Sequence, residues 1–300
     1  MLRERRRFLY PIPTRRPLPS SWPSGKPERK PLSRNLTALT AIGFLTVVSV
    51  MVLLAPIIAP AHPMQVDTSA QLAPPDRAHL LGTDLLGRDV LSRLLYGGRL
   101  TFGVGLLAAA VAALPGLMLG LFAGYSDGAL DAIITRTMDV LLSIPYLLLA
   151  LAVVALMGQR LEGVAFGIGL AGIPGTVRVV RTAVLSVRRR PFVLAARSVG
   201  CTEMRILWRH ILPNITGTAL VIATLQVGWA ILNASALTFL GVGAPPGTPE
   251  WGAMLHEGRL YVHEAPWVAA TSGTLLTLTV LAVNLIGDGL RDAIDPRLRV

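Results

Sequence analysis

Long uncharged apolar runs alternate with short polar segments along this chain. The first, Leu36 to Ala59 (LTALTAIGFLTVVSVMVLLAPIIA), carries no charge over about the 20 residues that a helix needs to cross a bilayer core. Further runs follow at Leu100–Ala123, Val140–Met157, Gly163–Val177, Ile215–Leu240 and Val268–Ile286, so the pattern predicts six membrane spans. The fourth run, GVAFGIGLAGIPGTV, is short, and its glycines and Pro174 loosen a helix unless neighbours pack closely on it. Residues 1–35 show no helical periodicity and are rich in proline and arginine, which predicts a disordered basic tail. Ala59-Pro60-Ala61 resembles a signal-cleavage site, but the run before it exceeds the roughly 7 to 15 residues of a signal h-region, so the segment reads as a retained span.

Composition agrees with a polytopic membrane protein: 52% hydrophobic, 15% charged, mean hydropathy +0.58. The formal net charge of +11 raises nucleic acid as a partner, but most of the basic residues sit in the tail and in one loop between apolar runs. That distribution is what the positive-inside rule produces, and nucleic-acid binding is set aside. The tail arginines and the loop holding Arg178, Arg181, Arg188, Arg189, Arg190, Arg197, Arg205 and Arg209 should share the cytoplasmic side. An even number of spans must separate them, so the fourth run crosses. Both termini then fall inside, with Pro60–Arg99 and Gly241–Trp267 outside. One loop opposes the rule: Asp127, Asp131 and Asp139 outnumber Arg136 in a segment that parity places inside. Acidic residues weigh little in the rule, so the parity stands. The lone cysteine, Cys201, gives no disulfide framework.

Gly116 and Gly120 form a G-x-x-x-G in the second span, read as helix packing inside the bundle. The basic loop contains LAARSVGCTEMRILWRHILPN, Leu194 to Asn214. Pro191–Val199 predicts a short helix ended by Gly200 in the left-handed conformation. Thr202 caps a second helix, with Glu203 in its first turn, that Pro213 stops. Met204, Leu207 and Ile211 share one side of that second helix, giving a surface on which something docks; the alternative is an amphipathic hairpin resting on anionic lipid.

A-A-x-x-x-G followed at a fixed gap by L-P, here Ala195, Ala196, Gly200, Leu212 and Pro213, resembles the coupling loop of permeases in binding-protein-dependent ABC importers. LGTDLLGRDVLSRLLYGGRL, GLFAGYSDGALDAIITRTMDVLLSIPYLLLA, FLGVGAPPGTPEWGAML and LTVLAVNLIGDGLRDAIDPRLR extend the resemblance over nearly everything from Leu81 onward. The chain is similar to the shorter permease subunit of the dipeptide, oligopeptide, glutathione and nickel family. It departs from the pattern at Leu194, where an acidic residue is usual, and at Asn233, where a small or acidic one is common.

The resemblance implies an all-α, type I importer permease fold with six transmembrane helices and a cytoplasmic coupling helix, in a bacterial inner membrane. Its layout is a tail (1–35), a first span (36–60), an extracytoplasmic segment (61–99), a five-helix core (100–290) with a coupling loop at 186–214, and a cytoplasmic C-terminal tail (291–300). It implies ATPase coupling through Ala195, Ala196, Gly200, Met204, Arg205, Leu207, His210, Leu212 and Pro213. The implied partners are a homologous second permease, two cytoplasmic ATPases, an extracytoplasmic solute-binding protein and the lipid bilayer, with a di- or oligopeptide as solute and nickel or glutathione as alternatives.

No cofactor, metal or catalytic residue is expected. The only lysines, Lys26 and Lys30, stand in no phosphate-binding loop, and no nucleophile elbow appears. HEGRLYVHEAP lacks the histidine one turn after His256 that a zincin needs, and His256, Glu257, His263 and Glu264 read as loop surface rather than a metal contact. An ion-coupled secondary transporter would place ionisable residues at mid-membrane, where these runs are uncharged. Gln226 and Asn233, and again Thr277 and Asn284, recur at a spacing that returns to one helix face. They either line the solute path or hydrogen-bond neighbouring helices.

Overall fold

The computed structural model describes residues 35–294; residues 1–34 and 295–300, which include the expected basic tail and the end of the C-terminal tail, lie outside the described residues. Among the described residues the fold is helical, with one isolated bridge between Thr83 and Asp89 and no sheet. Helix α1 (Leu36–Leu53) starts at Asn35, whose side chain accepts from the Ala38 amide, and is followed by the single turn α2 (Ala55–Ile58). Then come α3 (Val90–Tyr125), α4 (Ala129–Ser143), α5 (Tyr146–Met157), α6 (Leu161–Arg188), α7 (Pro191–Ser198), α8 (Glu203–Ile206), α9 (Leu212–Phe239), α10 (Trp251–Gly258) and α11 (Pro266–Ile294).

Five stretches are long and apolar enough to span a membrane: α1, α3, α6, α8 running into α9, and α11. A sixth crossing is made if α4 and α5 count as one span, for they meet at a bend of 93°. The continuous third span expected from Val140 is therefore broken, and the sequence of the break explains it. Pro145 disfavours helical backbone at the residue before it, and Ile144 is extended, with φ −88° and ψ 128°.

Helix α3 is longer than its apolar run. The run begins at Leu100, but the helix begins at Val90 because Asp89 caps it, its carboxylate accepting from the Ser92 amide at 2.7 Å. Its 36 residues extend about 54 Å at 1.5 Å per residue. Helix α6 is likewise longer than GVAFGIGLAGIPGTV and passes through Pro174 unbroken. It is the most buried of the candidate spans. Its glycines carry that burial: Gly167 faces the Ala150 carbonyl of α5, Gly169 faces Val111 of α3, and Gly172 faces Gln226 of α9. The close packing that the weak fourth run requires is present on three sides.

The α3–α6 contact is the most extensive in the bundle. The sequence repeat there is longer than the G-x-x-x-G of Gly116 and Gly120, since Gly124 continues it. The three glycines lie against Thr176, Val180 and Val184, so that an added Cβ would come within 2.6 to 2.7 Å of those side chains. The repeat is an internal seam.

Contacts at the helix ends fix which segments share an end of the bundle. Ala38 of α1 meets Gly289, Ile294 of α11 meets Gly217, and Tyr125 at the end of α3 meets Arg197 and Glu203. At the other end, Arg99 donates to the Val52 and Leu53 carbonyls at 2.9 and 2.6 Å. Both ends of the described chain thus lie at the end that carries α7 and α8.

Candidate functional site

The loop from Arg189 to Ile211 folds as a hairpin at that end. Pro191 opens α7, where its missing amide hydrogen costs nothing. Gly200 turns the chain with φ +79°, and the Thr202 hydroxyl accepts from the Arg205 amide to cap α8. The expected turn and caps are observed, but the second helix does not stop at Pro213. Leu207–Ile211 widens into a π-helical stretch that leads straight into α9. Proline lacks an amide hydrogen and crowds the carbonyl four residues back, here that of Arg209; the wider turn accommodates both defects and lets the helix continue. The hairpin is the foot of the fifth span, not a detached unit.

Its two faces differ from the face expected from periodicity. Leu207 and Ile211 are buried, together with Ile206, Val193 and Ala196, against Leu121, Val180, Val184 and Val187. Of the trio Met204, Leu207 and Ile211 only Met204 is exposed, at 57%. The apolar side read as a docking surface is the side that seats the hairpin on α3 and α6. The outward surface instead consists of Leu194, Val199, Met204 and Trp208, with Arg205 and Arg209 among them. Ala195 and Gly200 are exposed, His210 and Leu212 half-buried, and Pro213 exposed.

Ion pairs line the hairpin end. Asp127, Asp131 and Asp139 pair in order with Arg188, Arg181 and Arg178 at 2.5, 2.7 and 2.9 Å. Numbers rise from the residues leading into α4 along that helix as they fall along α6, as antiparallel α4 and α6 require. The acidic residues that opposed the charge rule are the counter-ions of the basic helix beside them. The Asp131–Arg181 pair is bidentate and half-buried, and is the strongest of the three. Arg197 donates to Glu203 at 3.1 Å and lies over the Tyr125 ring at 5.7 Å. Its hydrogen bonds to the Tyr125 hydroxyl and Glu203 raise its pKa above the ordinary value, keeping it charged.

The opposite end carries a buried ion network that sequence reading missed. Arg93, 0% exposed, donates to Asp84 at 2.5 Å and Glu257 at 2.7 Å. Arg88 donates to the same carboxylates at 2.7 and 3.0 Å. Beside them Glu250 caps α10 and accepts from the Thr101 and Thr238 hydroxyls at 3.0 and 2.7 Å. These groups join α3 and the segment before it to α9 and α10 across the bundle end. His256 engages the Phe239 carbonyl, and among the described residues no group of three His, Cys, Asp or Glu side chains is placed to hold a metal ion.

Gln226 and Asn233 stand on α9, and Thr277 and Asn284 on α11. Gln226 fills the notch at Gly172, and Asn284 lies against Gly228. Asn233 is buried and donates to the Trp229 carbonyl of its own helix at 2.8 Å. Thr277 is exposed and donates to the Gly273 carbonyl at 2.8 Å.

Residues 116–300, which hold the seam, the hairpin and α11, match the family described as binding-protein-dependent transport system inner membrane component. The chain belongs to that family. Residues 29–75 of the permease also match the N-terminal TM domain of oligopeptide transport permease C. Over 298 residues the permease is 41% identical to the di/tripeptide transport system permease protein DppC of Pseudomonas aeruginosa, covering 97% of this chain and 95% of that one. It is 45% identical over 225 residues to the glutathione transport system permease protein GsiD of Pectobacterium atrosepticum, covering 75% of each. Among solved structures, the MetNI methionine ABC transporter in an inward-facing conformation matches with TM-score 0.57 at 19% identity, over 68% of this chain and 96% of that one. The permease therefore has an ABC importer permease fold and is a multi-pass inner-membrane protein.

Proposed function

We propose that this permease is one half of a heterodimeric channel that imports di- or oligopeptides delivered by a solute-binding protein. ATP hydrolysis resides in separate ATPase subunits that dock on the hairpin. The carrying observation is the hairpin itself. One face is locked into the bundle, and the other presents Leu194, Val199, Met204 and Trp208 beside arginines at the end of the molecule. Apolar side chains ringed by charge are what a protein groove recognises. Ala195, Gly200, Met204, Arg205 and His210 lie on or beside that face; Ala196, Leu207, Leu212 and Pro213 set its position. The hairpin end, with both ends of the described chain, faces the cytoplasm, in keeping with the basic residues there. Transport follows from a two-state equilibrium that the ATPases bias from the hairpin end and the loaded binding protein from the other.

Peptide is preferred as solute because the 41% identity to a di/tripeptide permease extends over 97% of the chain. The likeness to a glutathione permease supports a second reading. Both are tested by reconstituting the complete transporter and measuring uptake of labelled dipeptide with competing glutathione. Dipeptide uptake that glutathione does not depress supports the first; glutathione uptake alone replaces it with the second. Gly200→Glu in the same vesicles tests the hairpin, and normal uptake there would refute its coupling role.

A further inference from the structure

The hairpin is covalently continuous with α6 through Arg189 and Arg190, and with α9 through the π-helical stretch. Helix α3 has no such connection, yet its last turn is held to the hairpin by side chains. The Tyr125 hydroxyl donates to a Glu203 carboxylate oxygen. The same oxygen accepts from Arg197, whose guanidinium covers the Tyr125 ring. Arg188 donates to the final carbonyls of α3, closest to that of Tyr125 at 2.8 Å. One carboxylate thus links the end of α3, the end of α7 and the start of α8.

We propose that Glu203 is a positioning residue for coupling, one that delivers hairpin displacement to α3, and through the glycine seam to the α3–α6 pair, as well as to α9. The proposal rests on the hairpin being the ATPase contact. Two observations carry it beyond that reading. The route from α8 into α9 passes through Leu207–Ile211, where the helix leaves α-helical hydrogen bonding, and displacement delivered along it reaches α9 and not α3. The route through Glu203 enters α3 where it lies on α6 without space for a methyl group, so the pair moves as one body. The Arg197 and Glu203 side chains are also well exposed, and an exposed pair of this kind adds little to the stability of the fold. A tie that scarcely stabilises the resting state is free to act on how motion is shared.

The test uses the whole transporter, with partner permease, ATPases and binding protein in vesicles, and reads uptake and ATP hydrolysis together. Glu203→Ala is expected to lower solute moved per ATP about fivefold while ATPase co-purification and thermal melting match the parent. Tyr125→Phe should give a smaller loss, and the pair Arg197→Glu with Glu203→Arg should recover most of it. Unchanged transport per ATP in Glu203→Ala overturns the proposal. Loss of ATPase co-purification also overturns it, by making Glu203 part of the docking surface. Gly200→Glu run in parallel separates the two ideas: if it stops uptake and Glu203→Ala does not, the positioning role fails alone, and if it leaves uptake intact, the hairpin reading fails.

Discussion

Gly120 of α3 and Val180 of α6 stand so close that a methyl group on the glycine would lie 2.7 Å from the valine Cβ and 2.9 Å from the Val177 carbonyl. Neither neighbour is the far end of a flexible chain, so the helices would have to part. Gly120→Ala is expected to destabilise the permease by about 1–3 kcal/mol, the range for overpacking a filled interior. Gly103, on the same helix with nothing within 4 Å of its missing Cβ, is the control. Gly103→Ala should leave melting in detergent unchanged or slightly raised, and equal losses from both variants would remove the seam from the account.

Arg93→Leu removes one cation from between Asp84 and Glu257 and leaves two carboxylates facing one remaining arginine, Arg88. Breaking a buried ion network from one side costs about 3–5 kcal/mol. Glu257→Gln, at a partly exposed position, should cost less because water replaces part of what is lost. Detergent melting of both variants checks the order, and a reversed order would show that the network is wetter than its burial implies.

Asn233 already spends its amide on the Trp229 carbonyl and is enclosed by neighbouring side chains. Asn233→Trp is therefore expected to lower thermal stability and uptake together by crowding the bundle. Blocked uptake with unchanged melting would instead put Asn233 on the solute path.

The proposed orientation puts the end that carries α7, α8 and both ends of the described chain in the cytoplasm. In a Cys201→Ser background, Thr248→Cys should react with an impermeant thiol reagent in intact cells. Ser186→Cys should react only after the membrane is permeabilised. Labelling of position 186 from outside would invert the proposed orientation.

Spans were legible because bilayer thickness imposes a length on apolar runs, and the hairpin because Pro191, Gly200 and Thr202 each have one common backbone use. The failures are equally specific. Pro213 reads as a stop only while neighbouring turns are assumed to stay α-helical; a π-helical stretch, invisible in composition, absorbs it. Periodicity located an apolar side on Met204, Leu207 and Ile211 but carried no information on whether that side meets a partner or the rest of the same chain. Asp84, Arg88 and Arg93 stand beside an apolar run, and ionisable residues so placed are a signal of buried pairing. Their partner Glu257 is 164 residues from Arg93 in the chain, a separation no local pattern spans.

The ladder of Asp127, Asp131 and Asp139 against Arg188, Arg181 and Arg178 gives the same arginines two successive uses. On the orientation proposed above, α4 and α6 are not yet packed while the chain is being threaded into the bilayer, and each unpaired guanidinium resists passage across the membrane, whereas the aspartates exert little opposing pull. Once the helices meet, each of these arginines has a carboxylate partner, Arg181 in the least exposed pair of the three. An anchor during biogenesis becomes a fastening in the mature protein, and the aspartates make the change without weakening the first role.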